Sequence, residues 1–345
     1  MRIAIATVQV PFMAGGAELL ANGLREACAQ AGHQADIITH PFRFAPPSEI
    51  RRSMAIWRSE DFAQLTGYTP DATICLKFPA YGVIAPNKIL WLLHQHRAVY
   101  DLWDALHREA KPGADEIALR EEIRHFDDEA LGAFATRHTI AANVSRRLQH
   151  YNGIASAPVY NPPALASRLY TLPADDYIFF PSRLEELKRQ ALLIEAMRHV
   201  RAPVVALLGG TGGRQRHYES LIARHGLGDR VRLLGPLTDD ELLAFYAASL
   251  AVFYGPQDED YGYVTLEAML AAKPVITCTD SGGPLEFVVD GETGFVAAPE
   301  PAAIAAAIDR LHADKARARA MGDAGRSRYH SLDISWNRVL ATLLA

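Results

Sequence analysis

The stretch Asp258-Glu259-Asp260-Tyr261-Gly262-Tyr263-Val264-Thr265-Leu266-Glu267-Ala268-Met269 decides how this chain is read. An apolar, strand-like segment, Leu250 to Tyr254, leads into it and is closed by Gly255-Pro256. A helix-like stretch, Thr265 to Ala272, follows and stops at Lys273-Pro274. Strand, acidic glycine loop and helix start form the sequence in which an α/β sheet presents a ligand site. Gly262 permits close backbone approach, and the N–H groups that follow it, at Tyr263 and Val264, point out of the helix start toward an anion. On one continuous helix, the spacing from Glu259 to Glu267 would span ~12 Å. That exceeds the ~5–9.5 Å over which paired carboxylates flank a single bond. The two glutamates are therefore expected to grip different parts of a long ligand with an anionic group between them, as in a sugar nucleotide. A plainer alternative has the acidic residues stabilising the helix dipole and Glu267 solvated.

Around this stretch, strand and helix patterns alternate, as in parallel α/β sheets. Strands are expected near Ile3–Val8, Gln34–Thr39, Ala72–Leu76, Ile89–Leu93 and His138–Ala141, then Tyr177–Pro181, Val204–Leu208, Val231–Leu234 and Val275–Cys278. Helices are expected near Ala17–Ala31, Glu49–Leu65, Val99–Arg108, Ala114–Ala133 and Val144–Tyr151, with a helical tail from Pro301. Asn161-Pro162-Pro163 is a rigid exit from the first half. The expected division is an N-terminal Rossmann-like domain over 1–163, a linker over 164–176, and a C-terminal Rossmann-like domain over 177–325. The tail, 326–345, is expected to pack back on the N-terminal domain. At 345 residues, 49% of them hydrophobic, the chain is long enough for two cores.

A net charge of −5 gives no bulk reason to expect nucleic acid as partner. Cys28, Cys75 and Cys278 show no C-x-x-C spacing and read as buried thiols, which points to the cytoplasm. The N-terminal MRIAIATVQV reads as a strand at once rather than a leader, and no apolar run approaches membrane-spanning length. Residues 46–65 read either as an ordinary core-packed helix or as a basic amphipathic helix. The second reading implies peripheral contact with the cytoplasmic membrane face.

Three further segments carry candidate site residues. Gly15-Gly16 stands between the first strand and the first helix, where phosphate or sugar can approach the helix start. Ser182-Arg183-Leu184-Glu185-Glu186-Leu187-Lys188 leaves a strand and enters a helix, so Arg183 and Lys188 can neutralise a diphosphate. The alternative is a surface helix whose acidic residues pair with its own cations. Trp91-Leu92-Leu93-His94-Gln95-His96-Arg97 puts a histidine at a strand's carboxyl end, with Lys77 and Arg97 as further candidates for the same region. No third ligand accompanies the His-x-His pair, so no metal is expected.

DEDYGYVTLEAM followed by KPVI resembles the signature of retaining glycosyltransferases of family 4, among the glycosyl transferases group 1, which have the GT-B fold. The Arg183 to Lys188 segment is similar to the family's G-R-x-x-x-x-K-G, with Ser182 in place of a glycine and Gln190 following Arg189 where glycine is common. A GG before the first helix, a histidine segment, G-G-x-x-E at 282–286, and D-G-x-x-G at 290–294 complete the resemblance. It covers nearly the whole chain and is strongest from Tyr177 to Val296.

The resemblance implies two Rossmann-like domains facing across a cleft and transfer of a sugar from a nucleotide sugar to a hydroxyl acceptor, with retention. It implies Glu259 beside the donor sugar and Glu267 on the ribose. Arg183, Lys188, Gly262, Tyr263 and Val264 would lie at the diphosphate, His94 at the active site with His96 in reserve, and Gly15 and Gly16 would face donor or acceptor. The nucleotide sugar is substrate, and neither cofactor nor metal is implied. The acceptor would be a sugar, a lipid-linked group or a small molecule, within polysaccharide, glycolipid or other glycoconjugate synthesis. A non-catalytic nucleotide-sugar-binding protein and a GT-B sugar-nucleotide epimerase are the competing expectations.

Overall fold

The computed structural model describes residues 1–345 other than Met13, Ala14 and Thr66. It comprises two compact units: unit one is Met1–Ala164 together with Ser335–Ala345, and unit two is Leu165–Ile334.

Unit one carries six parallel strands: β1 (Arg2–Gln9), β2 (Gln34–Pro41), β3 (Ala72–Cys75), β4 (Lys88–Leu92), β5 (Thr136–Thr139) and β6 (Ala157–Pro158). Their order across the sheet is β2-β1-β3-β4-β5-β6. Unit two carries β7 (Tyr177–Pro181), β8 (Val205–Gly209), β9 (Val231–Gly235), β10 (Ala251–Phe253), β11 (Val275–Cys278) and β12 (Gly294–Ala297), in the order β12-β11-β10-β7-β8-β9. Every strand pairing within the two sheets is parallel. The central strands are apolar runs because helices cover both faces: Ile3–Val8 and the whole of Tyr177–Pro181 are buried. These paired Rossmann-like sheets are the α/β architecture expected from the sequence.

Strand order fixes where each unit can hold a ligand. In unit one the chain runs from β1 outward to β2, then returns to lay β3 on the other side of β1. In unit two it runs β7, β8, β9, then returns to lay β10 on the other side of β7. Loops leaving the carboxyl ends of such a pair diverge and open a crevice between them. The crevice points are therefore the ends of β1 and β3 in unit one, and of β7 and β10 in unit two.

The stretch expected as a linker, 164–176, is strapped to unit two beyond Ala164. Leu172 N–H donates to Ala247 O, Asp175 N–H to Ala248 O, and Lys273 Nζ to Leu172 O. The tail divides later than expected. A helix over Lys315–Ser331 belongs to unit two, and the segment that joins unit one is the short helix Trp336–Leu343. Trp336 lies edge-on to Trp91, with centroids 6.3 Å apart, and fills a notch at Gly23, where a Cβ would stand 2.4 Å from Trp336 Cζ2.

The helix expected near Glu49–Leu65 runs over Pro47–Ser59 and buries Ile50, Met54 and Trp57. Arg51 pairs with Glu122 at 2.7 Å and Asp115 at 2.8 Å, and Arg58 pairs with Glu129. The apolar face that a bilayer would need is taken by the core, so the core-packed reading is the one the structure supports. No helix among the described residues is long and apolar enough to cross a membrane.

Candidate functional site

The site in unit two grows from the β7–β10 crevice. After β7, Ser182 N–H donates to Gly209 O and Leu184 N–H to Thr211 O, so the exits of β7 and β8 are held side by side. This explains the glycine-rich Gly209–Gly213 better than ligand contact does. A Cβ on Gly210 would meet Ser182 O at 2.2 Å, and one on Gly212 would meet Leu184 O at 2.5 Å. Beyond this clamp, Arg183 is exposed and a 3-10 turn over Glu186–Lys188 delivers Lys188. Arg189 then takes a left-handed backbone, φ 59°, a conformation that glycine adopts most easily. Its guanidinium is fixed to Asp280 by two hydrogen bonds of 2.8 and 2.6 Å.

After β10, the acidic loop is pinned on two sides by backbone hydrogen bonds. Gln257 N–H donates to Leu187 O, Asp258 N–H to Asp280 O, and Glu259 N–H to Ser281 O. Glu259 thus sits in a short parallel bridge with Gly282, outside any helix. Gly262 has φ 88° and ψ 62°, and caps a helix that begins at Tyr263, two residues before the expected start. The left-handed turn at Gly262 lets the chain leave the bridge and wind immediately, and only glycine takes that conformation without strain. The amides of Tyr263 and Val264 belong to this first turn and have no acceptor inside the helix.

These two exits bring predicted residues into contact. Lys188 Nζ donates to Glu259 Oε2 at 2.6 Å and to Tyr254 OH at 3.2 Å. The Lys188 and Glu259 side chains keep 17% and 20% of their surface exposed, enough to meet a ligand and little enough for the charges to count. Glu267 lies one turn into the helix that Gly262 caps and accepts a 2.6 Å hydrogen bond from the buried hydroxyl of Tyr246. Burial raises the Glu267 carboxyl above its ordinary range, and the Tyr246 hydrogen bond opposes the rise. Tyr246 and Tyr254 were not singled out in the sequence. Tyr254 ends the apolar β10 run and Tyr246 lies in a neighbouring helix, so both read as core.

The candidate residues of unit one fall in two places. Gly15 is the N-cap of the helix Gly16–Gln30, which follows β1, and its N–H donates to Glu18 Oε2 at 2.9 Å. Met13 and Ala14, just before it, lie outside the described residues. His94 follows β4, one strand beyond β3, with Nδ1 donating to Gln95 O at 2.6 Å and its ring partly exposed. His96 packs among Phe42, Phe44 and Phe78, and burial first, then the nearby His94, lowers its imidazole to about 4. It is a neutral core ring at physiological pH, which leaves His94 as the ligand-facing candidate of the two. Among the described residues, no group of three or more His, Cys, Asp or Glu is arranged to hold a metal ion.

Residues 171–328 match the family model described as glycosyl transferases group 1. A curated relative, D-inositol 3-phosphate glycosyltransferase of Salinispora tropica, is 35% identical over 194 residues, covering 52% of this chain and 40% of that protein. The chain thus spans well under half the length of this relative. Among solved structures, sucrose-phosphate synthase from Thermosynechococcus elongatus aligns with 99% of this chain and 96% of its own, with a TM-score of 0.75 and 22% identity. Anabaena Alr3699/HepE in complex with UDP and glucose aligns with 100% of this chain and 99% of its own, with a TM-score of 0.73 and 20% identity. At these identities the structural likeness establishes a shared fold.

Proposed function

We propose that this chain is a retaining glycosyltransferase of family 4, moving a sugar from a nucleotide-sugar donor to a hydroxyl acceptor without a metal ion. The observation that carries the reading is the contact of Lys188 with Glu259 at the β7–β10 crevice of unit two. The match of residues 171–328 to glycosyl transferases group 1 supports it. Lys188, Arg183 and the helix start at Gly262–Val264 hold the diphosphate. Glu267, oriented by Tyr246, takes the ribose hydroxyls, and Glu259 stands at the donor sugar.

In the step itself, the acceptor oxygen bonds to the anomeric carbon as the bond from that carbon to the diphosphate oxygen breaks. The acceptor's proton passes to the departing phosphate on the same face, which gives retention without a protein base. The charge that develops on the nucleoside diphosphate is met by Lys188 and Arg183, the effect through which such cations lower a barrier. His94 contributes a hydrogen bond at the sugar, and unit one receives the acceptor. The product belongs to polysaccharide, glycolipid or other glycoconjugate synthesis.

The test is a thermal-shift screen of purified protein against UDP, GDP, ADP and dTDP sugars, since a ligand that binds only the folded state raises its stability. Donor hydrolysis and transfer are then followed with the donor selected. Glu259→Ala is expected to abolish turnover while nucleotide binding persists. Unchanged turnover in that variant, or no stabilisation by any of the four donor classes, overturns the reading.

A further inference from the structure

Beneath the histidine segment of unit one runs a chain of polar side chains that the chemistry above does not use. Asp127, on the helix Ala114–Gly132, is fully buried, and both its oxygens are occupied. Tyr81 OH donates to Oδ1, and Tyr100 OH donates to Oδ2 at 2.9 Å. Those two bonds already satisfy the carboxylate, yet the chain goes on. Asn152 Nδ2 donates to Tyr100 OH at 3.2 Å, and Gln95 Nε2 donates to Asn152 Oδ1. Gln95 is only 2% exposed, and its backbone carbonyl accepts from His94 Nδ1 at 2.6 Å. From Gln95 to Asp127 every hydrogen points the same way, an order in which each bond polarises the next.

Little in this chain is free to turn. Asn152 Nδ2 also donates to Asp128 Oδ1 at 2.6 Å. A carboxylate can only accept, so Nδ2 must face Asp128 and Oδ1 must face Gln95. Asn152 ends the helix Ala142–Asn152, which Gly153 closes in a left-handed turn, φ 66°. The backbone around Gln95 is held on both sides, since Leu93 N–H donates to Leu76 O and His96 O accepts from Val99 N–H. With its side chain tied to Asn152, the Gln95 carbonyl has a fixed direction. A carbonyl has no hydrogen to give, so His94 Nδ1 carries one, and the neutral ring keeps its lone pair on Nε2. A leucine at position 95 would offer the same carbonyl without burying an amide. What the glutamine adds is the anchor.

We propose that Gln95, Asn152 and Tyr100 are positioning residues for the transfer reaction, holding His94 in its Nδ1–H tautomer through the Gln95 carbonyl, with buried Asp127 as the fixed end. The part His94 plays in transfer rests on the glycosyltransferase reading, whereas the control of its tautomer does not.

The experiment uses the full chain labelled with 15N-histidine, at about pH 8, where imidazoles are neutral. The signal of His94 is assigned by its loss in His94→Gln, and its ring nitrogens report which of them carries the hydrogen. The unaltered protein should show Nδ1–H. Gln95→Leu and Asn152→Leu should move His94 toward the mixture of tautomers of a free imidazole and leave the other histidines where they were. Tyr100→Phe, which keeps the shape and removes one oxygen, should move it less in the same direction. With a donor that supports transfer, Asn152→Leu should lower kcat roughly ten- to a hundredfold while the donor KM changes about twofold or less, the signature of a misplaced group. In the His94→Gln background the same substitution should have no further effect on kcat, because a residue that acts through His94 has nothing left to position. The Nε2–H tautomer in the unaltered protein, or an unchanged tautomer in all three variants, overturns the proposal. A kcat loss that persists in full without His94 marks a merely structural role and overturns it as well. Failure of every nucleotide sugar to support transfer would overturn the glycosyltransferase reading and leave the tautomer measurement interpretable.

Discussion

Removing the charge of Glu259 should tighten the binding of a nucleoside diphosphate even as it abolishes transfer. Glu259 shares Lys188 with any diphosphate that arrives, since the ammonium already spends hydrogen bonds at 2.6 Å on the carboxylate and 3.2 Å on Tyr254. A phosphate on the far side of that ammonium would lie roughly 5 Å from the carboxylate. At effective dielectrics between those of a protein surface and water, the repulsion is about 1–3 kcal/mol. Partial exposure and salt reduce this, so Glu259→Gln is expected to tighten the diphosphate about three- to tenfold, less at high ionic strength. Lys188→Met removes a charge-assisted hydrogen bond worth about 1.5–3 kcal/mol and should weaken it roughly 10- to 100-fold. Calorimetry on both single variants and the double variant, at two salt concentrations, measures each quantity and their coupling. If Glu259→Gln weakens binding as much as Lys188→Met does, the carboxylate holds the lysine in place for the ligand and does not compete with it, and the reasoning fails.

Tyr246→Phe removes the hydrogen bond that opposes the burial-raised pKa of Glu267. The acid limb of nucleotide affinity should therefore move to higher pH, which binding measured from pH 5 to 8 would reveal. Asp127 is fully buried, accepts from Tyr81 and Tyr100, and is raised to about 7 by burial. Its contribution to stability is thus full below the unfolded carboxyl's ~3.9 and lost as pH rises through the folded value, at up to about 1.4 kcal/mol per pH unit. Urea unfolding followed by tryptophan fluorescence should show this decline, and Asp127→Asn should flatten it. All four tryptophans, Trp57, Trp91, Trp103 and Trp336, belong to unit one, so the signal reports that unit alone. Gly23→Ala improves helix propensity yet drives a Cβ into Trp336, so it should destabilise unit one by about 1–3 kcal/mol in the same assay.

The strand ends were legible because Gly255-Pro256 and Lys273-Pro274 punctuate the apolar runs around them. Lys188 and Glu259 could be named as candidates, from the exit of Tyr177–Pro181 and the acidic glycine loop, with the family resemblance choosing them over a solvated helix. Their direct contact could not, because it depends on β10 returning beside β7, and strand order leaves no mark on local pattern. The helix start at Tyr263 was missed because an aromatic pair around a glycine reads as loop until the φ of Gly262 is known. Arg189 hid the left-handed position for the opposite reason: a charged residue occupies a conformation usually betrayed by glycine. A glycine-rich strand end invites a ligand, yet Gly210 and Gly212 answer to the neighbouring Ser182–Leu184 backbone.

The return of Trp336 to the notch at Gly23 has a consequence for the order of biosynthesis. Unit two is one contiguous run, Leu165–Ile334, and every residue it needs has been made before the chain reaches Ser335. Unit one is interrupted, and the helix that begins at Gly16 waits with an empty notch until the ribosome has added Trp336. Of the two units, the one begun earlier is therefore the one completed later. Loss of Trp336 would register at the helix that begins at Gly16, in the unit that does not carry Lys188 and Glu259.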